Sequence, residues 1–268
     1  MTAPVLHFLG HSTVRVELAG RTVLTDPVLT PRVGGLRRVA ALPDPATWAG
    51  VDLVVLSHQH GDHLHVPSLR MLGPSVRIVA PRGAGAWLRA RGFRRVDELA
   101  PGESLTDGEL RVTAVPAEHS SHRWGPRLTH GPEAPAVGHL LEGAGHRVYA
   151  SGDTDLFDGM HGLGDGGIDV ALLPVWGWGP TLGPGHLDPV RAAETVARVR
   201  PRVVVPVHWG TLALPGSTVV PPLRSRMRRL LTEPPRRFAD AVAARGLDTR
   251  VALTEPGAAV LLPTGDRA

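Results

Sequence analysis

Apolar residues along the chain fall into short runs that stop at glycine, proline or polar clusters, and they come in two patterns. Val14-Arg15-Val16-Glu17-Leu18 alternates with period two, the mark of a half-buried strand, and residues 6–12 and 21–25 read as strands on either side of it, joined by glycine turns. Ala19-Gly20 is a hairpin signal. Leu53-Val54-Val55-Leu56 is apolar without a break, as a strand covered on both faces of a parallel sheet should be. Further strands are predicted over 76–80, 110–116, 137–141, 147–150, 169–174 and 202–207. Helices are predicted over 66–72, 83–90, 189–200, 222–231 and 235–245; Asp188 caps the third of these and Pro189 opens it. Strands that alternate with helices in this way argue for an α/β layered architecture.

Two stretches lack a period. Residues 28–50 carry prolines at 31, 43 and 45 and the pair Gly34-Gly35, so they read as a surface loop bordering a site. Residues 124–135 hold three prolines and read as a flap. No linker divides the chain and no repeat has solenoid length, so residues 1–268 are expected to form one domain, whose two strand-and-helix halves suggest a pseudo-duplicated sandwich.

Composition narrows the chemistry. With 42% hydrophobic and 20% charged residues the chain is an ordinary globular one. It has no cysteine, which excludes disulfides and leaves histidine and carboxylate as the metal ligands available. No signal-peptide succession or membrane-length apolar run is present, so a cytoplasmic protein without a transmembrane segment is expected. All 29 basic residues are arginine and the net charge is +4. Compositional bias accounts for this mild, scattered excess better than nucleic-acid binding does, and no nucleic-acid partner is expected. One concentration, Arg224, Arg226, Arg228, Arg229, Arg236 and Arg237, suits either an anionic substrate or lipid headgroup, or simply a solvated helix face. A homo-oligomer is compatible with the sequence.

The stretch Ser57-His58-Gln59-His60-Gly61-Asp62-His63 follows the buried strand directly. Side chains alternate along an extended segment, so His58 and His60 point the same way and can grip one ion. Gly61 turns the backbone, and Asp62 and His63 are re-aimed at a neighbouring position. His119, Asp153 and His208 each follow another predicted strand. Two divalent ions need about three protein ligands each plus a bridging carboxylate. His58, His60 and His119 would hold the first, and Asp62, His63 and His208 the second, with Asp153 between them. Asp26, before Pro27, either orients a ligand histidine or forms an Asx turn. Zinc is the first expectation, with manganese or iron as alternatives.

These motifs resemble those of the metallo-β-lactamase superfamily. Its H-x-H-x-D-H string is matched by His58, His60, Asp62 and His63, and Pro116-Ala117-Glu118-His119, Ser151-Gly152-Asp153-Thr154 and Pro206-Val207-His208-Trp209-Gly210-Thr211 follow in the superfamily's order. Gly10-His11-Ser12-Thr13-Val14, Leu24-Thr25-Asp26-Pro27 and Gly185-His186-Leu187-Asp188-Pro189 make it similar to the branch that holds ascorbate-6-phosphate lactonases and the phospholipase D hydrolysing N-acyl-phosphatidylethanolamine. The resemblance implies a four-layer αββα sandwich and a hydrolase. It departs from the phospholipase in beginning almost at its first strand and in its Gly- and Pro-rich run 177–185, which favours a soluble small molecule as substrate.

The expected reaction is hydrolysis of a small phosphodiester, lactone or ester by a hydroxide bridging two ions, since coordination brings the pKa of water to near 7. Asp62 and Asp153 are candidates for steering that hydroxide, and His186 for touching substrate or protonating the leaving group. His11 and His122 are weaker candidates of the same kind; Trp176 and Trp178 either line the pocket or pack on the core. The alternatives are a nucleic-acid-processing metallo-hydrolase and a non-hydrolytic metal protein resembling a di-iron oxidoreductase.

Overall fold

The computed structural model describes residues 3–123, 133–221 and 223–262. In chain order the first half runs β1 (Val5–Gly10), β2 (Thr13–Leu18), β3 (Arg21–Thr25), β4 (Arg32–Val33), β5 (Leu36–Arg38), β6 (Leu53–Val55), α1 (Val66–Leu72), β7 (Arg77–Pro81), α2 (Gly85–Arg89) and β8 (Arg95–Leu99). The second runs β9 (Ser104–Asp107), β10 (Leu110–Pro116), β11 (Val137–Gly143), β12 (His146–Ala150), β13 (Ile168–Pro174), α3 (Pro189–Val199), β14 (Pro201–Val207), β15 (Leu212–Ala213), α4 (Leu223–Thr232), α5 (Pro234–Ala243), β16 (Arg250–Val251) and β17 (Ala258–Val260).

Two seven-stranded sheets result, ordered β17-β1-β2-β3-β6-β7-β8 and β9-β10-β11-β12-β13-β14-β16. Each begins with four antiparallel strands and continues with parallel ones, β3-β6-β7-β8 in the first and β12-β13-β14-β16 in the second. The expected duplication is therefore visible strand by strand.

The alternation of side chains on β6 shows how the layers are assigned. Leu53 and Val55 point between the sheets, where they join Leu6, Phe8, Val14, Val112 and Val170; Val54 packs the other way, with Leu69 of α1 and Leu88 of α2. On the far side Ala192, Ala193 and Val196 of α3 and Phe238 and Val242 of α5 cover the second sheet. The order is helices, sheet, sheet, helices: the four-layer αββα sandwich. Each large side chain fully buried in this way contributes roughly 1.5–3 kcal/mol, so both faces of every central strand have to be apolar.

The region 28–50 departs from the loop expected of it. β4 and β5 pair with the distant β15 in a small antiparallel sheet, and Val28, Val33, Leu36 and Leu212 form a core of their own with Trp178 packed against it. Its apolar residues are too widely spaced to show a period, and their partner lies far along the chain. The strands β8 and β9 were also hidden, because Arg95-Val96-Asp97-Glu98-Leu99 and Ser104-Leu105-Thr106-Asp107 are largely polar. Of the proposed flap, residues 124–132 lie outside the described residues. Among the described residues no helix is long and apolar enough to cross a membrane.

Candidate metal centre

Strand ends from both sheets meet at one rim of the sandwich. The segment after β6 delivers His58, His60, Asp62 and His63; His119 follows β10, Asp153 follows β12, and His208 follows β14. All seven predicted ligands are brought together. His58, His60 and His119 form one group, Asp62, His63 and His208 fall in a second, and Asp153 is grouped with His58 and His63 and again with His119 and His186. His119 Nε2 stands 3.1 Å from His60 Nδ1, and His63 Nε2 stands 3.1 Å from His208 Nε2. Asp153 Oδ2 lies 3.3 Å from the Nε2 atoms of both His63 and His208.

Hydrogen bonds on the far side of each ring settle which nitrogen faces inward as an acceptor. His208 Nδ1 donates to the Trp176 carbonyl at 2.7 Å and His119 Nδ1 to the Gly185 carbonyl at 2.6 Å. His63 Nδ1 donates to Asp26 Oδ2 at 2.9 Å. Ser57 Oγ donates to Asp26 Oδ2 at 2.6 Å, so it accepts from His58 Nδ1 at 2.9 Å. With Nδ1 protonated, the Nε2 atoms of His58, His119 and His208 are bare lone pairs, whereas His63, held between two carboxylates, keeps on Nε2 a proton that a metal ion would displace. These nitrogens point at one another and at Asp153. His58 Nε2 and Asp153 Oδ1 are buried with no hydrogen-bond partner among the described residues. Buried acceptors left without a donor are costly unless a cation lies among them, so this donor set fits divalent metal.

Protonation agrees with that reading. Burial pushes the imidazolium forms of His58 and His119 below the usual range, His60 to about 4 and His208 to about 3, so these rings are neutral at pH 7, the state that binds metal. His63 differs: burial lowers its pKa, but Asp153 on one side and Asp26 on the other outweigh this and hold it well above 6.5. Burial would raise Asp153 and Asp62, yet their histidine neighbours keep both carboxyls ionised.

Asp26 is thus an orienting residue, the first of the two roles its sequence allowed. Its carboxylate also accepts from the Ser57 backbone N–H at 2.8 Å. His186 is at the rim, half-buried, with Nε2 3.5 Å from Asp153 Oδ2 and its ring 4.7 Å from that of His119. His11 was underrated: it is buried, 3.0 Å from Asp62 Oδ2, and grouped with Asp62, His63 and His208. The signal lay in its place at the end of a predicted strand, close to the setting of the other ligands. His122 is exposed and in none of these groups, and His130 lies outside the described residues. Trp178 packs on the small core and Trp176 against the main one. The six clustered arginines are all exposed on α4 and α5.

An αββα sandwich with histidine and aspartate donors gathered at one sheet rim defines a class of metal-binding proteins. The chain belongs to the metallo-β-lactamase superfamily: the model of the beta-lactamase superfamily domain matches residues 21–209. A metal-dependent hydrolase of Methanopyrus kandleri is 32% identical over 263 residues, covering 93% of this chain and 96% of its own. An N-acyl-phosphatidylethanolamine-hydrolysing phospholipase D of Caenorhabditis elegans is 29% identical over 84% of this chain and 68% of its own. The chain spans 59% of the length of an uncharacterised Mycobacterium tuberculosis protein, to which it is 36% identical over 77% of its residues. Among solved structures, a metallo hydrolase of the archaeon Ignicoccus hospitalis superposes with a TM-score of 0.71 at 25% identity, covering 97% of this chain and 98% of that one.

Proposed function

We propose that the chain is a two-metal hydrolase of small phosphodiesters, lactones or esters, holding one ion through His58, His60 and His119, another through Asp62, His63 and His208, and using Asp153 for both. Zinc is the preferred ion, with manganese or iron as alternatives. The observation that carries this reading is the gathering of imidazole rings around ionised Asp153, whose Oδ1, like His58 Nε2, is buried without a hydrogen-bond partner among the described residues, a pattern that calls for cations. When bound, such a pair of ions supplies acidified water and positive charge for the oxygens of the substrate.

The side chains perform the remaining work. Asp153 and Asp62 accept hydrogen bonds and orient the attacking oxygen. His186, partly open to solvent and within reach of Asp153, holds an anionic group of the substrate or gives a proton to the departing oxygen. The loop between Trp176 and His186 bends back so that its carbonyls at Trp176 and Gly185 fix two ligand rings. A loop spent on holding ligands is poorly placed to act as an arm along a polymer, which supports a small substrate and leaves nucleic acid aside.

The test is a screen of small phosphodiesters, lactones and esters with metal-loaded protein, repeated after chelation and with Asp153→Ala. Turnover that disappears in both and returns on adding metal to the chelated wild type is expected. Undiminished turnover by Asp153→Ala would reject the assignment.

A further inference from the structure

We infer that His11 is a fourth protein ligand of the second metal position, so that the two positions are unequal: three side chains hold one ion alone, and four hold the other. The inference rests on the two-metal reading above and deepens it, because it bears on which ion each position prefers.

Topology gives the first argument. In the first sheet β1 stands second from the antiparallel edge, and in the second sheet β10 occupies the corresponding place. The residues just beyond them are His11 and His119. His119 completes the group with His58 and His60, and His11 joins Asp62, His63 and His208 with all donor atoms within 4.8 Å of one another. Each half of the duplicated fold therefore sends one histidine from the same strand place to one position. Asp26 and Asp153 obey the same relation, since they follow β3 and β12, fourth in each sheet, and lie on opposite nitrogens of His63.

The second argument is how firmly His11 is held. Its backbone is left-handed, with φ of 55°, a conformation a histidine adopts rarely and keeps only where its surroundings enforce it. Its N–H donates to Thr211 Oγ1 at 2.7 Å, and its carbonyl accepts from the N–H of His208, itself left-handed with φ of 64°. This link straps the end of β1 to the end of β14, across the two sheets. Arg38, buried, donates to the Leu9 and Val28 carbonyls just behind the turn, and a Cβ on Gly10 would meet Arg38 Nη2 at 2.7 Å and Thr211 Oγ1 at 2.9 Å. Glycine is required there for His11 to reach the rim. Strain of this kind, spent on placing an imidazole beside a carboxylate and two other imidazoles, is better suited to a ligand than to a core residue.

Four protein donors, the shared Asp153 and one solvent oxygen make six, which suits manganese or ferrous iron; three donors, Asp153 and solvent make five, within reach of zinc. The second position is thereby inferred to favour the ion of higher coordination number.

The experiment uses Co2+ as the probe with the full chain, stripped of metal and retitrated, in wild type, His11→Asn and His11→Gln. Asparagine tolerates the left-handed backbone, so at least one variant keeps the turn; circular dichroism checks the fold. Wild type is expected to take up two equivalents. Both variants should bind the second equivalent at least about tenfold more weakly, the magnitude expected when a metal's surroundings lose a contact. Their second Co2+ should absorb more strongly in the visible, as lower-coordinate Co2+ does, and hyperfine-shifted proton spectra should show one exchangeable imidazole N–H fewer. An unchanged number of shifted N–H signals and an unchanged visible spectrum would overturn the assignment even if affinity fell, since His11 would then only hydrogen-bond Asp62. Failure of the wild type itself to bind two equivalents would overturn the two-metal reading with it.

Discussion

Asp26→Asn removes one charge from a buried carboxylate that touches no substrate, and the structure fixes what should follow. The carboxylate accepts from His63 Nδ1, Ser57 Oγ and the Ser57 N–H at 2.9, 2.6 and 2.8 Å. Asparagine fills the same volume and tolerates the left-handed φ of 34° at this position, so the fold is preserved. One of its two arms is now an NH2, a donor, facing donors. At the Oδ2 place it would face His63 Nδ1 and Ser57 Oγ together, and at the Oδ1 place the Ser57 backbone N–H; in either orientation His63 loses a charged acceptor. A hydrogen bond to a charged group is worth about 1.5–3 kcal/mol, and about 1.4 kcal/mol is a tenfold change in an equilibrium constant. Metal affinity should thus fall roughly 10- to 100-fold, the range seen when the orienting partner of a metal-binding histidine is removed. The assay is competition with a chromophoric chelator, run beside kcat/KM at saturating metal. If Asp26→Asn binds metal as tightly as wild type while remaining folded, the account of how His63 and His58 are oriented is wrong.

Other outcomes can be read as directly. His186→Ala should leave metal content unchanged and slow substrates with poor leaving groups by about 100-fold or more, sparing activated ones; equal slowing of both classes would remove the proton-donor role. Gly152→Ala would place a Cβ 2.3 Å from Ser57 Cβ at a φ of 61°, so it should cost well over 1 kcal/mol in urea unfolding, whereas Gly159→Ala, with φ of 82° and nothing within 4 Å, should cost less. His139 is buried and its pKa is pushed down to about 4 by burial, against 6.5 when unfolded. The unfolded chain therefore binds the extra proton between those values: stability is complete above pH 6.5 and is lost as pH falls toward 4, by about 3 kcal/mol at most. Urea melts of wild type and His139→Gln across this window should diverge in slope, the variant being flatter; parallel slopes would refute the assignment of the acid sensitivity to His139.

The local chemistry of this protein was legible in its sequence. Continuous apolar runs marked the strands covered on both faces, such as β6 and the Val170–Leu173 part of β13, because burial on two sides disfavours polar residues at every position. The ligands were legible because a polar, metal-capable residue directly beyond such a run can only lie at a sheet rim. What the sequence left open depends on distance in the fold. Asp26 had two readings until His63, far along the chain, was seen against it. His11 looked no different from any strand-end histidine until Asp62 and His208 closed around it. The small sheet of β4, β5 and β15 and the polar strands β8 and β9 carry no period of their own, since their pairing energy comes from partners whose identity is set elsewhere. Sequence periodicity reports which face of an element is buried; only packing decides what it is buried against, and that decides which donors share a cation.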